Sequence, residues 1–287
     1  MLVGDIGRIV SEARLPALPE MYFKLDAASR DVACTPETIG AIVSQDNVIE
    51  EHLLRLVNSA LFEFSERVDT VPHAVEKVGI PQIRDLALSI MIIRMLDGID
   101  PDIVSMKSYW RHSFACGITA RILATLRGEP NVERFFVAGL LHDIGSLLFY
   151  LHIPEQAMIS VLHGRDDDGP LYLQEREVVG FDHAMLGKAV LRDLQMPEAM
   201  QEAVEFHHTP DQALNYPVDA AVLHVADIIV NAMQYGSRGE FIVAPLSPDA
   251  WDRLGLSVSI LPQVIEQVDR QFNCMVRVFF GKCCGVN

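Results

Sequence analysis

Apolar residues along this chain recur at steps of three and four, and runs alternating strictly every second residue are nearly absent. That pattern predicts helices throughout. Thr35-Pro36-Glu37 reads as a helix start, with a hydroxyl cap, proline at the first helical position and an acid in the first turn, and IGAIVSQ follows it. Asp46 caps NVIEEHLLRLVNSALF, whose Val48, Leu53, Leu56, Val57 and Ala60 can line one face. Pro72 and Pro81 open two more helices, AVEKVG and IRDLALSIMIIRML, with Gly79 as the stop between them. Residues 15–97 thus read as a compact bundle of short helices within a first unit, 1–100.

DGIDPD, Asp97 to Asp102, is the expected seam. Longer helices are predicted beyond it, at Tyr109–Leu126, Val132–Leu151, Gln156–His163, Leu171–Leu194, Glu198–His208, Val218–Met233 and Pro262–Phe280. RDDDGP, Arg165 to Pro170, reads as a polar, turn-rich loop. The expected fold is all-α: a small N-terminal bundle packed on a larger one (101–240), closed by a C-terminal helix and tail (241–287).

The formal charge of −16 argues against a nucleic-acid surface, which needs positive charge to displace counterions, and against an anionic membrane surface. No segment reaches the roughly 18 uninterrupted apolar residues of a spanning helix, and MLVGDIGRIV lacks the pattern of an export leader. Five cysteines without C-x-x-C spacing suit a reducing compartment, and Cys283-Cys284 reads as tail. A cytoplasmic protein is expected.

The candidate chemistry lies in the histidines. His52 and His73 have polar neighbours and read as solvent-facing, as do His152 and His163 near a helix end and its loop. Five histidine-bearing stretches instead look buried: WRHSFACGI, GLLHDIG, GFDHAMLG, AVEFHHTP and AVLHVADII. Each buried imidazole or carboxylate costs desolvation energy, which a shared cation would offset for all of them. A nitrogen-rich set with one or two carboxylates suits iron, manganese, zinc, cobalt or nickel better than magnesium or calcium. His142 and Asp143 diverge by about 100° on one helix, so both can serve a site only if neighbouring helices close around them. His224 and Asp227 share a face, and His207-His208 ends a helix before Thr209-Pro210. The alternative is that these groups satisfy one another locally, with His224 a packing residue. Glu175 and Glu177, two turns before His183, either orient it or face solvent; Arg111, Arg121 and Arg134 either offer charge to a phosphate or pair at the surface.

In order along the chain, LPALPE, LLRLVNSALF, AVEKVGI, Trp110-Arg111-His112-Ser113, GLLHDIGSLL and GFDHAMLG followed by His207-His208 resemble the HDOD family of the HD superfamily of metal-dependent phosphohydrolases. The likeness spans residues 15–235 and implies that the larger bundle is HD-like. It also implies a bacterial signalling or regulatory protein that binds a partner protein or a nucleotide. Carried over from the similar HD-GYP phosphodiesterases, the metal ligands are His112, His142, Asp143, His183, His207, His208 and Asp227, holding one or two divalent transition-metal ions. Asp143 bridges them in that arrangement. The alternative implied function is hydrolysis of a nucleotide or cyclic dinucleotide by a metal-bound hydroxide. Three positions depart from that pattern: Ser146 stands where a lysine follows HDIG, HHTPDQALNYP replaces the HHE-x-GYP segment, and Ser108 replaces a further glutamate ligand.

Overall fold

The computed structural model describes residues 3–13, 18–62, 64–96, 104–165, 169–236 and 242–280. The seam at Asp97–Asp102, Leu15–Ala17 of LPALPE, Asp166–Asp168 and the Cys283-Cys284 pair lie outside these residues. No strand occurs among the described residues, and the chain is all-α.

Four helix starts in the first group follow from caps and prolines. The order is α1 (Val3–Ala13), α2 (Glu20–Ser29), α3 (Pro36–Val43), α4 (Asn47–Val57), α5 (Val71–Val78) and α6 (Ile80–Met95). Thr35 Oγ1 accepts from the Thr38 amide, and Asp46 Oδ1 accepts from Val48 and Ile49 at 2.9 and 3.2 Å. Pro72 and Pro81 sit in first turns, where a missing N–H costs nothing, and Gly79 between them has φ +106°. The predicted apolar face of α4 needs one correction. Val48 is exposed and Ile49 is buried in its place, while Ala60 falls beyond the helix end at Val57.

The second set is α7 (Met106–Arg127), α8 (Glu133–Leu141), α9 (Ile144–His152), α10 (Pro154–Arg165), α11 (Leu171–Val179), α12 (His183–Asp193), α13 (Glu198–Glu205), α14 (Pro217–Met233), α15 (Pro248–Leu254) and α16 (Leu261–Phe280). Three predicted helices are shorter than their apolar patterns. Val132–Leu151 divides at His142-Asp143, where Asp143 leaves helical geometry (φ −100°, ψ 13°). Leu171–Leu194 divides at Gly180-Asp182, where Gly180 takes φ +91° and Asp182 caps α12 through the Met185 amide. Glu198–His208 ends at Glu205, leaving His207 and His208 on the turn beyond it.

α7 packs along α8, α14 and α16, while α6 rests on α8 and α4 on α16, so one apolar core runs from Ile9 to Val276. The α8–α9 stretch Glu133–His152 is long and apolar enough to cross a membrane by length and composition; 89% of its most apolar window is buried inside the protein. Two glycine contacts set the distances that matter for the site. A Cβ on Gly139 of α8 would lie 2.7 Å from Gly117 Cα on α7, and one on Gly145 of α9 would overlap the His183 carbonyl oxygen and stand 2.6 Å from the Gly187 amide of α12. Only glycine permits these approaches.

Candidate metal centre

The two close approaches bring the breaks in the helices together. Gly117 against Gly139 sets His112 and Cys116 of α7 beside His142, and Gly145 against α12 sets His183 beside Asp143. His207 and His208 enter from the turn after α13, and Asp227 from the middle of α14. All seven predicted residues are buried, with exposures of 0% for His112, His142, Asp143, His183 and His207, 2% for Asp227 and 8% for His208.

The break at His142-Asp143 resolves the divergence expected of adjacent helical residues. His142 closes α8 and Asp143 stands at the N-cap position of α9 without a side-chain capping hydrogen bond, so both side chains enter one space between the helices. His142 Nε2 lies 3.0 Å from Asp143 Oδ2 and 3.6 Å from Asp227 Oδ1; His112 Nε2 lies 3.4 and 3.2 Å from the same two oxygens. The other Asp143 oxygen, Oδ1, lies 3.4 Å from His183 Nε2 and 3.9 Å from His207 Nε2. The Nε2 atoms of His208 and His183 are 2.8 Å apart. Asp143 thus presents one oxygen to a group formed by His112, His142 and Asp227, and the other to a group formed by His183, His207 and His208.

The outer nitrogens decide how these rings are used. His142 Nδ1 donates to the Gly139 carbonyl and His207 Nδ1 to the Val204 carbonyl, both at 2.7 Å, and His183 Nδ1 donates to Glu175 Oε2 at 2.5 Å. With the proton held at Nδ1, each neutral ring turns a lone pair inward at Nε2. That is the arrangement by which a protein orients imidazoles toward a metal. His207 Nε2 is buried with no hydrogen-bond partner. A cation would satisfy it, and a nitrogen-rich set with two carboxylates fits a divalent transition ion.

Charge follows the same geometry. Burial opposes protonation of His112, but the neighbouring Cys116 and Asp227 outweigh it and raise the pKa to about 10. His142 is likewise raised well above the ordinary imidazole value, against the effect of burial, chiefly by Asp143. Burial, followed by the charge on His142, lowers His207 to about 4. Asp227 is held well below the usual carboxylate range, despite burial, by its hydrogen bonds from His112 and His142. The neighbouring anionic groups thus favour holding protons at His112 and His142, whereas burial disfavours one at His207. A divalent cation would replace those protons.

Several residues around the cluster resolve the open alternatives. Glu175 is 2% exposed and accepts from both the ring and the amide of His183, so it orients that ring, whereas Glu177 is exposed. His224 turns away: its Nδ1 donates to the His207 carbonyl at 2.8 Å and its Nε2 accepts from the Ser247 amide at 2.9 Å. It fixes the His207 turn from behind. His52, His73 and His152 are half-buried, and His163 is exposed. Arg111 stacks on Phe272, Arg121 pairs with Glu133, and Arg134 pairs with Asp219, so all three are engaged away from the cluster. Ser146 is fully buried with a hydroxyl that makes no hydrogen bond.

Two participants escape the sequence reading. Tyr172 stacks on His208 with centroids 4.3 Å apart and planes 10° from parallel. Cys116 Sγ lies 3.6 Å from His112 Nε2 and 3.9 Å from Asp227 Oδ1. Its signal was present: Cys116 follows His112 by four residues and so shares its helix face.

Comparison with known proteins agrees with this architecture. A Treponema pallidum (strain Nichols) protein of uncharacterised function is 27% identical over 195 residues, covering 68% of this chain; the chain spans 37% of that relative's length. An HDOD domain protein of unknown function from Geobacter sulfurreducens superposes with a TM-score of 0.79 at 18% identity, covering 97% of this chain and 99% of the other. A protein from Shewanella amazonensis SB2B, provisionally named a phosphohydrolase, gives 0.72 at 22% identity over 94% of this chain and 97% of its own. At these identities the two structures share the fold. The family model for the HDOD domain matches residues 15–210, and the chain belongs to the HDOD domain family.

Proposed function

We propose that this chain is a signalling or regulatory HDOD protein that holds a divalent transition-metal centre in its helical core and engages a partner protein or a nucleotide. His112, His142, Asp143 and Asp227 would hold one ion, and Asp143, His183, His207 and His208 a second. Iron, manganese, zinc, cobalt and nickel all suit such donors. An ion bound there supplies Lewis acidity and positive charge to the core. The observation that carries the regulatory reading is the burial of the ligands beside Ser146: they lie at 0–8% exposure, and the position after HDIG bears an uncharged, buried side chain. A phosphate substrate needs a path and a cation to meet it.

We divide the chain into an N-terminal helical bundle (1–100), an HD-like metal-binding half (101–240) and a C-terminal helix and tail (241–287). The free thiols of Cys34, Cys116 and Cys274 suit the cytoplasm. The acidic charge of −16 fits a partner other than nucleic acid or membrane.

The second reading, a phosphohydrolase acting on a nucleotide or cyclic dinucleotide, is favoured by Asp143, whose two oxygens face separate histidine groups. Hydrolysis assays with manganese-, iron- or zinc-loaded protein across cyclic dinucleotides, nucleotides and generic phosphodiesters separate the two. The regulatory reading predicts metal binding without turnover. Turnover that disappears in His142→Ala overturns it in favour of the enzyme.

A further inference from the structure

We infer that Cys116 is a thiolate ligand in the His112 side of the centre, and that it biases this position toward zinc, iron(II) or cobalt over manganese or magnesium. The inference rests on the reading of the cluster as a metal centre and adds a donor and a selectivity to it.

The ordinary reading of a buried free cysteine is a small apolar residue. The surroundings of Cys116 do not fit that reading. It is 1% exposed, yet its sulfur faces His112, Asp227 and the space shared with His142. The separations are those of a coordination shell. With metal–nitrogen bonds of about 2.05 Å, metal–oxygen near 2.1 Å and metal–sulfur near 2.3 Å, a tetrahedron has edges of about 3.3–3.4 Å between nitrogen and oxygen donors and about 3.5 Å from sulfur to nitrogen. The observed distances are 3.3 Å from His112 Nε2 to His142 Nε2, 3.2 and 3.6 Å from those nitrogens to Asp227 Oδ1, and 3.6 and 3.9 Å from sulfur to His112 and Asp227. The four donor atoms all lie within 4.8 Å of one another, close enough to share one ion, and Asp143 Oδ2 stands beside them.

Chemistry gives the selectivity. Only the thiolate ligates, so binding forms a metal–sulfur bond and releases the Cys116 proton to solvent. Thiolate donors favour softer, borderline ions, whereas the other side of the centre offers imidazoles and Asp143 Oδ1 without sulfur. The two positions are therefore unequal, and the sulfur-bearing one is the more exacting about its ion.

Cobalt(II) reads this directly, because a thiolate on cobalt produces an intense near-ultraviolet charge-transfer band that imidazole and carboxylate do not. Metal-stripped full-length protein is titrated with cobalt and, separately, with zinc. Three forms are compared: wild type, Cys116→Ser, and a variant with Cys34, Cys274, Cys283 and Cys284 all changed to serine. The band is expected in wild type and in the variant retaining only Cys116, and absent in Cys116→Ser. That substitution should also weaken zinc binding by at least the roughly ten- to hundredfold typical of losing a residue that merely supports a ligand. Should Cys116→Ser fail to fold, the variant retaining only Cys116 still decides. Cobalt bound there without the band overturns the thiolate assignment and leaves the centre standing. No cobalt or zinc bound by any form overturns the centre itself.

Discussion

The helices before residue 96 and those from α7 to α14 are built on the same periodicity but bury different things. In the first group the buried positions are almost all apolar; Ser59, Asp85 and Ser89 are the polar ones among the described residues. Asp85 is met there by Arg84 at 2.7 Å and Asn131 at 3.0 Å. In the second group five histidines, Asp143 and Asp227 converge within one core, with Glu175 and His224 buried behind them. The first region is stable through removal of apolar surface from water. The second also has to neutralise charge in a dry space, which depends on what is bound there. Packing alone explains one half of this molecule, and solution conditions enter the other.

The comparison breaks most visibly on removal of metal. Stripping the ions should lower the melting temperature in step with a loss of about 4 kcal/mol when free ion had stood near a thousand times its Kd. Calorimetry with and without chelator checks this, and Asp143→Ala should show the low value in both conditions. In the first region, Leu53→Ala empties a fully buried position of α4 and should cost about 3 kcal/mol in chemical denaturation, with the same metal content as wild type. A parallel loss of metal would show that the two regions are not separable in this way.

Smaller changes sharpen the contrast. Glu175→Ala removes the acceptor that orients His183 and should weaken metal binding about ten- to hundredfold, read by competition with a chromophoric chelator. Asp46→Ala removes the α4 cap and should cost about 1 kcal/mol near neutral pH, leaving metal affinity unchanged. Burial works to raise the Asp46 carboxyl, but Arg94 and the Ile49 and Val48 amides hold it below its ordinary value. Its contribution is therefore present above the ordinary carboxylate pKa and lost as pH falls through the depressed one. Denaturation curves of wild type and Asp46→Ala should converge in acid.

How much of this was legible depended on whether the controlling interaction was local. Thr35, Asp46, Pro72 and Pro81 act on amides within their own first turn, so the sequence located those helix starts. The division at Gly180 runs against the single helix expected over Leu171–Leu194, although the glycine offers a cue for it. The division at His142-Asp143 also runs against a single expected helix, because GLLHDIGSLL is apolar on both sides and contains no proline; tertiary approach through Gly139 and Gly145 sets its geometry. The seven buried histidines and acids were named from family likeness and composition, but their sorting around the two oxygens of Asp143 needed coordinates. The role of Glu175 is illegible for the same reason, since its partner His183 lies across a helix break. Cys116 lacks the C-x-x-C spacing of a cysteine metal site, and its cue is a position one helical turn from His112.

The most direct test is the metal content of the full-length protein, measured by elemental analysis and by anomalous scattering from crystals. The account predicts between one and two transition-metal ions per chain, with density between His112, His142, Asp143 and Asp227 and none in Asp143→Ala. Protein that binds no transition metal when supplied with it, with the same histidines and acids closed on one another by hydrogen bonds, would contradict it.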